Sequence, residues 1–444
     1  MTGQGLVIAE KDLDRLEHSL RHLALPVPLQ NIIESYIEKK VGKKWDDPIV
    51  LERMRTAIAA QKRDYWKEGS QRQIRYRTGY SVIAYLAYHL PVFFGQFQHL
   101  LLRLTRDGLL RDEIRILDVG SGPGVVPLAI TDFFRRLGHG MVSIHALEGS
   151  DEQYEAYQFL VPGFAKEVPG IRIETPIQAD LTTISDTRLP RGNDLVIFSN
   201  VQNEMSPSIT EQRAAMILHR YAECLSDEGT MVIMEPADLA NATHLRRISL
   251  ATTSSGALSL YAPCTFLWGR RCATDRCWSF VSSGDIQPPR VMEALAQGPH
   301  GYRFLNVDMK ASFALLRKDG RTRCQHQVSP GAPFLPFSEL PRHIGHVVNV
   351  IAGVMSGDIG DSNHRVFLVC DGTSVKPVYV ILPYHHTGNK TRTLMEAEYG
   401  DVLEFHEILV RYNRSYDAFN LLLTGRSRVI PPPSSMRKAK KSRY

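Results

Sequence analysis

The chain has 444 residues, of which 43% are hydrophobic and 23% charged, and its formal net charge is +6. This length predicts about three domains with proper hydrophobic cores. No apolar run approaches the roughly 18 residues of a membrane helix, and the first residues lack the features of a signal or transit peptide, so we expect a cytoplasmic protein with no membrane partner.

Residues 1–108 read as a helical, basic N-terminal region. Between Lys39 and Arg77 the sequence contains twelve Lys or Arg residues and five acidic residues. Arg72, Arg75 and Arg77 alternate with polar and aromatic residues, a pattern that suits phosphate contacts and base stacking. A solvated helical face with ordinary core aromatics gives the same pattern and stays open. Interleaved aromatics in and beside this stretch are Trp45, Tyr65, Trp66, Tyr76 and Tyr80.

Residues 115–124 read Arg-Ile-Leu-Asp-Val-Gly-Ser-Gly-Pro-Gly, an apolar strand that runs into alternate glycines. Glycines at 120, 122 and 124 let the strand turn sharply into a helix while the backbone approaches a ligand closely. A dinucleotide fold would place the third glycine one residue later, where Val125 stands. This spacing therefore favours a cofactor without a pyrophosphate.

Strands and helices alternate from about residue 115 to 237. A helix is predicted over Val125 to Leu137, with Pro127 in its first turn and Gly138 after its end. This alternation predicts a doubly wound parallel sheet with its ligand at the carboxyl ends of the strands. The alternative is a Rossmann-like domain that binds no cofactor. Further strands are predicted at Val142 to Leu147, at Ile171 to Glu174, at Asp194 to Phe198 and at Gly229 to Met234.

These motifs resemble those of a class I S-adenosylmethionine-dependent methyltransferase. The resemblance implies that Glu148 binds the ribose hydroxyls and that Asp180 holds the adenine amino group. The full set that it assigns to S-adenosylmethionine is Asp118, Gly120, Gly122, Gly124, Glu148, Asp180 and Asn200.

Methyl transfer mainly requires an acceptor held in line with the methyl group, so few residues need act as acid or base. Asn203 and Glu204 are the candidate catalytic residues, and both could instead bind the cofactor or cap a helix. The Asn-Pro-Pro-Tyr turn of many amino methyltransferases is absent from Ser199 to Glu204. That absence counts against a typical exocyclic-amine methylase.

Four of the six cysteines fall in one region, Cys264, Cys272, Cys277 and Cys324. Their spacing is not that of a zinc ribbon or a ferredoxin. In a reducing compartment they are either reduced bystanders or a four-thiolate metal site, and spacing leaves both open. Cys224 and Cys370 read as core thiols.

A third domain is predicted over residues 340–430. Five strands with a helix after the third is the order of an OB-fold, which often binds single-stranded nucleic acid. Ser427 to Val429 also reads as a barrel strand, and the composition of residues 431–444 predicts a basic, disordered tail. The strands are predicted at Gly345 to Val354, His364 to Cys370, Ser374 to Leu382, Asp401 to Val410 and Ala418 to Leu423, and candidate RNA contacts are Tyr379, Tyr384, Lys390, Arg411 and Tyr412.

Residues 45 to 328 resemble a specific family, the methyltransferase-like assembly factors of the small ribosomal subunit, which occur in mitochondria and have bacterial and archaeal relatives. The motifs are Tyr85 to Pro91, the Asn203-Glu204-Met205 turn, Val232 to Pro236 with Arg246-Arg247, and a proline-preceded cysteine at 264. Tyr302 to Phe304 and Ala314 to Arg317 read as strand-like continuations of the sheet.

The family resemblance implies a [4Fe-4S] cluster on Cys264, Cys272, Cys277 and Cys324, with zinc as the alternative. Thr265-Phe266 replaces the family's Pro-His. The organisation is then a methyltransferase domain over 109–330 with a cysteine segment at 260–324. The implied partners are the small ribosomal subunit and its rRNA, for a protein that is a monomer off the ribosome. A mitochondrial location is the alternative to the cytoplasm.

Three functions follow as hypotheses. The first is an S-adenosylmethionine-binding protein of the small subunit, which methylates its rRNA or matures the subunit. The second is a methyltransferase for a protein or a small molecule. The third is an iron–sulfur redox sensor or assembly scaffold that has lost methyl transfer.

Overall fold

The structure is a computed structural model that describes residues 6, 8–65, 79–205, 208–270, 272, 275–298 and 300–433. The predictions made for Trp66, Arg72, Arg75, Tyr76 and Arg77, and for the basic residues after position 433, lie outside this part of the chain. None of the described helices is both long and apolar enough to cross a membrane.

The described helices and strands are, in chain order, α1 (Glu10–Arg21), α2 (Val27–Val41), α3 (Pro48–Tyr65), α4 (Ser81–Tyr88), α5 (Leu90–Arg106), β1 (Glu113–Val119), α6 (Val125–Leu137), β2 (Met141–Glu148), α7 (Asp151–Ala165), β3 (Ile171–Ile173), β4 (Ile177–Gln178), β5 (Asn193–Ser199), α8 (Gln202–Met205), α9 (Glu211–Ala222), β6 (Leu225–Pro236), α10 (Leu239–Thr252), β7 (Ser259–Ala262), β8 (Val281–Asp285), α11 (Arg290–Leu295), β9 (Asp308–Arg317), β10 (Val347–Val354), β11 (His364–Cys370), β12 (Val378–Pro383), α12 (Arg392–Glu396), β13 (Val402–Asn413), β14 (Ala418–Leu422) and β15 (Arg428–Ile430).

The chain forms two compact units that are interleaved along the sequence. The first comprises residues 1–235 and 283–310, and the second comprises residues 236–282 and 311–444. The N-terminal helices therefore share a unit with the parallel strands. The cysteine-rich segment shares the other unit with the C-terminal strands.

The first unit is built on a parallel sheet with the strand order β3-β2-β1-β5-β6, and β4 also pairs with β2. In register, Ile116 lies beside Ile144 on one side and beside Leu195 on the other. These central strands are apolar and buried, as expected when helices cover both faces of a parallel sheet. The predicted doubly wound sheet is confirmed.

Helix α6 occupies the predicted range, Val125–Leu137. Gly124 precedes it at φ 93° and Gly138 follows it at φ 82°, both in the left-handed region. The Gly138 N–H donates to the Phe134 carbonyl and closes the last turn. Both ends of the helix are thus set by glycines that the sequence already marked.

The C-terminal part of the second unit is a closed five-stranded barrel with the order β10-β11-β12-β14-β13, since β13 also pairs with β10. Strands β12 and β14 pair in parallel while the other barrel pairs are antiparallel, and α12 lies between β12 and β13. This is the OB-fold order, so the predicted barrel is confirmed. Phe367, Val380 and Phe405 are among the buried side chains of its core.

One prediction about a strand was wrong, and a second was right about the strand but not about its place in the barrel. Residues Gly301–Phe304 form a short 3-10 helix, and Tyr302 is 68% exposed, so the side-chain burial that would favour a strand is lacking. Ser427 to Val429 overlaps the short strand β15, which pairs with β13 outside the five barrel strands; the fifth of those is β14. Ala314 to Arg317 does lie in a strand, β9.

Candidate functional site

A cavity of about 520 Å³ lies at the carboxyl ends of β1, β2 and β5 in the first unit. This is the position that the parallel sheet predicts for a ligand, and the volume suits a small molecule. Of the predicted cofactor residues, those that line it are Asp118, Gly120, Gly122, Glu148, Asp180 and Asn200.

The glycine loop after β1 is tied to the neighbouring strand. The N–H groups of Gly120 and Ser121 both donate to the Leu147 carbonyl, at 2.8 and 3.0 Å. A Cβ atom at Gly120 would lie 2.8 Å from Val201, whereas one at Gly122 would meet nothing within 4 Å. Gly122 therefore presents bare backbone to the cavity, which leaves room for a ligand.

Gly124 has a different role, because it does not line the cavity. A Cβ atom there would lie 2.1 Å from a methyl group of Val161 and 3.1 Å from the Tyr157 ring, both on α7. The third glycine thus allows close packing of α6 against α7. Gly124 was expected in the cofactor site, but the structure places it at this helix contact and not among the residues that line the cavity.

Two buried carboxyl groups face the cavity from adjacent strands. Asp118 is 1% exposed and its Oδ2 atom has no hydrogen-bond partner among the described groups. Burial, and then the charge of Glu148, raise the pKa of Asp118 well above its usual value. Burial also raises the pKa of Glu148, although its carboxylate accepts N–H groups from Gly122 and Ser150 at 2.7 and 2.8 Å. Such a pair favours a ligand rich in donors or positive charge.

Asp180 and Asn200 line the same cavity from the loops after β4 and β5. Asp180 Oδ1 accepts from the backbone and hydroxyl of Thr182 at 2.7 and 2.6 Å, so it also shapes its own turn. Asn200 adopts a left-handed φ of 58°, and its N–H donates to the Met234 carbonyl. A strained non-glycine residue beside a cavity is a common feature of functional sites.

The structure gives the two candidate catalytic residues, Asn203 and Glu204, different surroundings. Glu204 is exposed and lines the cavity, whereas Asn203 is buried and does not line it. The Asn203 N–H instead donates to Glu235 at 3.0 Å, and the Gln202 N–H donates to the other oxygen of Glu235 at 2.9 Å. Glu235 therefore fixes the short helix that carries Glu204.

Sequence reasoning assigned no role to several residues of this site. Tyr85 of α4 lines the cavity, and its pKa is raised by burial and then by the charges of Glu204, Glu148 and Asp118. Ser121 and Gln153 also line it. Tyr85 was marked only as part of a family motif, because no local pattern places a residue 33 positions before Asp118 at the same cavity.

The six cysteines are distributed differently from the prediction. Cys264, Cys272, Cys277 and Cys370 line a smaller cavity of about 100 Å³ in the second unit. Cys324 is not among its lining residues, and its thiol donates to the His326 carbonyl at 3.8 Å. Within the described part of the chain, no three His, Cys, Asp or Glu side chains are already arranged as metal ligands.

Cys224 is buried, as expected of a core thiol. Cys370 is intermediate in exposure and also lines the cysteine cavity, which the sequence analysis did not anticipate. The sequence alone gives no indication of which cavity the residue at the end of β11 reaches.

Three of the five candidate RNA contacts on the barrel are exposed, and Tyr379 and Tyr412 are partly buried. Tyr379 lines the cysteine cavity, and the Tyr412 hydroxyl accepts from Lys376 at 2.9 Å. Tyr384 is 42% exposed and stacks with Arg365. Lys390 and Arg411 are exposed.

Part of the second unit matches a known protein family. Residues 338–432 match the C-terminal domain of a family described as a domain of unknown function, DUF8157. This region contains the whole barrel. No curated protein matches the chain.

Three solved structures are similar to parts of this chain. Magnesium protoporphyrin IX methyltransferase from Synechocystis PCC 6803 is 12% identical, with a TM-score of 0.31, over 62% of this chain and 99% of that one. Fibrillarin from Aeropyrum pernix, solved with S-adenosyl-L-methionine, is 14% identical, with a TM-score of 0.25, over 45% of this chain and 66% of that one. A candidate methyltransferase from Methanococcus maripaludis is 18% identical, with a TM-score of 0.24, over 37% and 64%.

The strand order, the glycine loop after β1 and the cavity at the strand ends define a class I methyltransferase fold of the Rossmann-like type, followed by an OB-like barrel.

Proposed function

We propose that the cavity of the first unit binds S-adenosylmethionine and that the protein transfers its methyl group. The observation that carries this proposal is the pair of buried carboxyl groups, Asp118 and Glu148, beside the bare backbone of Gly122. S-adenosylmethionine offers two ribose hydroxyls, an ammonium group and a sulfonium centre to such groups. A dinucleotide would instead bring a pyrophosphate toward two carboxylates, which is unfavourable.

In this proposal the chain mainly orients the two reactants. Glu148 would accept hydrogen bonds from the ribose hydroxyls, and Asp118 would provide negative charge for the positively charged groups of the cofactor. Glu204 and Tyr85 lie where they can orient an acceptor, since both line the cavity and interact with each other electrostatically. When bound, S-adenosylmethionine would supply the methyl group, and the contribution of these residues would be to hold the acceptor close to it.

The test is the binding of S-adenosylmethionine to Gly122→Arg, measured by isothermal titration calorimetry. The arginine side chain projects into open cavity space, so we expect at least a hundredfold loss of affinity without unfolding. Gly192→Arg is the matched control, because Gly192 is also left-handed, at φ 74°, and also has no atom within 4 Å of its Cβ position. Unchanged affinity in Gly122→Arg would refute the site.

For the acceptor, we propose the rRNA of the small ribosomal subunit. Support comes from the resemblance to subunit assembly factors and from the OB-like barrel, a frequent binder of single strands. Loops between the fourth and fifth strands of such barrels often contact nucleic acid, and here that loop carries Arg414 and Tyr416, which is 73% exposed.

If rRNA is the acceptor, the protein should bind RNA with an affinity that falls steeply as salt increases, because phosphate contacts release counterions. Fluorescence anisotropy with a single-stranded rRNA fragment at 50 and 200 mM salt checks it. Tyr416→Ala should weaken binding about tenfold, a typical effect of losing one stacked base. Tyr302→Ala, at another exposed tyrosine beside an arginine, should leave it unchanged. Salt-independent binding, or none, would favour a protein or small-molecule acceptor.

An iron–sulfur cluster remains part of the proposal, with zinc as the alternative. Three of the four cysteines assigned to it, Cys264, Cys272 and Cys277, line one cavity. Thiolate sulfur suits either metal centre. The fourth residue of the assigned set, Cys324, does not line that cavity.

A further inference from the structure

The cysteine cavity of the second unit brings together residues that are far apart in sequence. Cys264 follows β7, Cys272 and Cys277 lie in the segment before β8, and Cys370 ends β11 of the barrel. Apolar side chains such as Phe266, Phe337 and Met355 form part of the remaining wall. Four thiols in one largely apolar cavity are unusual for bystander cysteines.

The polar groups around these thiols suit negatively charged sulfur. The Gly372 N–H donates to the Cys370 sulfur at 3.3 Å. Arg246 is 3% exposed and its guanidinium interacts with Cys264 and Cys277. It donates hydrogen bonds to the Ser279 hydroxyl, the Phe313 carbonyl and the Tyr399 hydroxyl, and it also contacts the Cys264 side chain, so these partners include no carboxylate. A buried cation with neutral acceptors is costly unless negative charge lies nearby.

A metal held by these sulfurs would supply that charge, because coordinated thiols lose their protons outright.

Cys324 lies in different surroundings. Its side chain packs against the small cluster of Leu267, Ile351 and Val402. Cys324 is not among the residues that line the cysteine cavity.

We infer that Cys264, Cys272, Cys277 and Cys370 form a four-thiolate site for a soft metal centre, with Cys370 as the fourth ligand in place of Cys324. This inference rests on the proposed metal centre and corrects its ligand set. Binding forms one bond from each sulfur to metal and releases four thiol protons to solvent, with no change in the oxidation state of sulfur. The thiols must draw closer together as the metal enters, since they are not yet arranged as ligands.

The site would connect the segment after β7 to the barrel through covalent bonds. Residue 370 lies within the region that matches the DUF8157 C-terminal domain, and residues 264–277 lie before it. The metal would therefore couple the folding of these two parts of the second unit.

The test compares full-length Cys370→Ser with Cys324→Ser, both purified without oxygen. Iron, zinc and acid-labile sulfide are measured per chain, together with visible absorption. We expect Cys324→Ser to keep the wild-type metal content and Cys370→Ser to lose at least tenfold. Iron with sulfide identifies a cluster, and zinc without sulfide identifies a mononuclear site. Loss of metal from Cys324→Ser, retention by Cys370→Ser, or a wild-type protein without either metal would overturn the inference.

A second measurement uses only the wild-type chain, in case a variant fails to fold. Iodoacetamide labelling is mapped by mass spectrometry before and after chelation. Chelation should expose Cys370 together with Cys264, Cys272 and Cys277, and should leave the labelling of Cys324 unchanged. Affinity for S-adenosylmethionine is measured on the same samples. Because that cofactor cavity lies in the first unit, failure of the metal site and failure of the proposed methyltransferase give separate results.

Discussion

Glu235 shows how one buried side chain can support a site that it does not touch. It is 2% exposed, and both of its oxygens accept N–H groups from the first turn of α8. Burial raises its pKa from 4.5 to about 8, against the lowering effect of those N–H donors. The folded protein therefore keeps a proton that the unfolded chain has already released between these pH values.

This predicts a loss of stability as the pH rises. The contribution of Glu235 is complete below about pH 4.5 and falls progressively until about pH 8, since the unfolded state binds fewer protons over that range. Glu235→Gln should remove this part of the pH dependence. Thermal unfolding from pH 5 to 9 measures it, with Glu223→Gln at an exposed position as the control. Equal slopes in wild type and Glu235→Gln would contradict the assignment.

At the scale of elements, helix α6 depends on two glycines in different ways. Both are left-handed, but an added Cβ meets Val161 at 2.1 Å at Gly124 and meets nothing within 4 Å at Gly138. Backbone strain is therefore common to both positions. Steric overlap occurs only at the start of the helix.

Alanine substitutions at the two ends should differ accordingly. Gly138→Ala should cost about 1 kcal/mol of unfolding free energy from the left-handed backbone alone. Gly124→Ala should cost a further ~1–3 kcal/mol from overpacking between α6 and α7. Urea denaturation of both variants gives the comparison. If the two losses are equal, close packing at Gly124 does not limit stability.

The barrel illustrates a limit of reasoning from elements alone. Its strands and helix were predicted in the right order. The parallel pairing of β12 with β14 and the closure of β10 on β13 are contacts between distant segments. The short β15 is a strand of the same sheet, but its pairing with β13 lies outside the five strands that close the barrel.

At the scale of the whole molecule, Arg246 connects several parts of the second unit. It extends from α10 to Ser279, to the Phe313 carbonyl of β9 and to Tyr399 next to the barrel, at 3.2, 2.5 and 3.3 Å. These three contacts come from segments separated by up to 153 positions from Arg246. A single buried guanidinium thus holds together chain segments that are remote in sequence.

Replacing Arg246 by Gln should destabilise the protein by about 3 kcal/mol, because several buried acceptors lose a charged donor at once. Chemical denaturation followed by circular dichroism checks this value. Arg247→Gln is the control, since the neighbouring arginine has a side chain that is 44% exposed and pairs with Asp275. A similar small change in both variants would mean that Arg246 does not hold the unit together.

The sequence by itself determined the class of fold and the centre of the first cavity. Glycine spacing, apolar strands and acidic residues at strand ends are local patterns, and they placed Asp118, Gly122, Glu148 and Glu204 correctly at one cavity. Only the tertiary structure decided that Gly124 packs against α7, that Glu235 anchors α8 and that Cys370, not Cys324, shares a cavity with the other three thiols. The physical reason is the same in each case, because these roles arise from contacts between segments whose separation in the chain leaves no periodic signal.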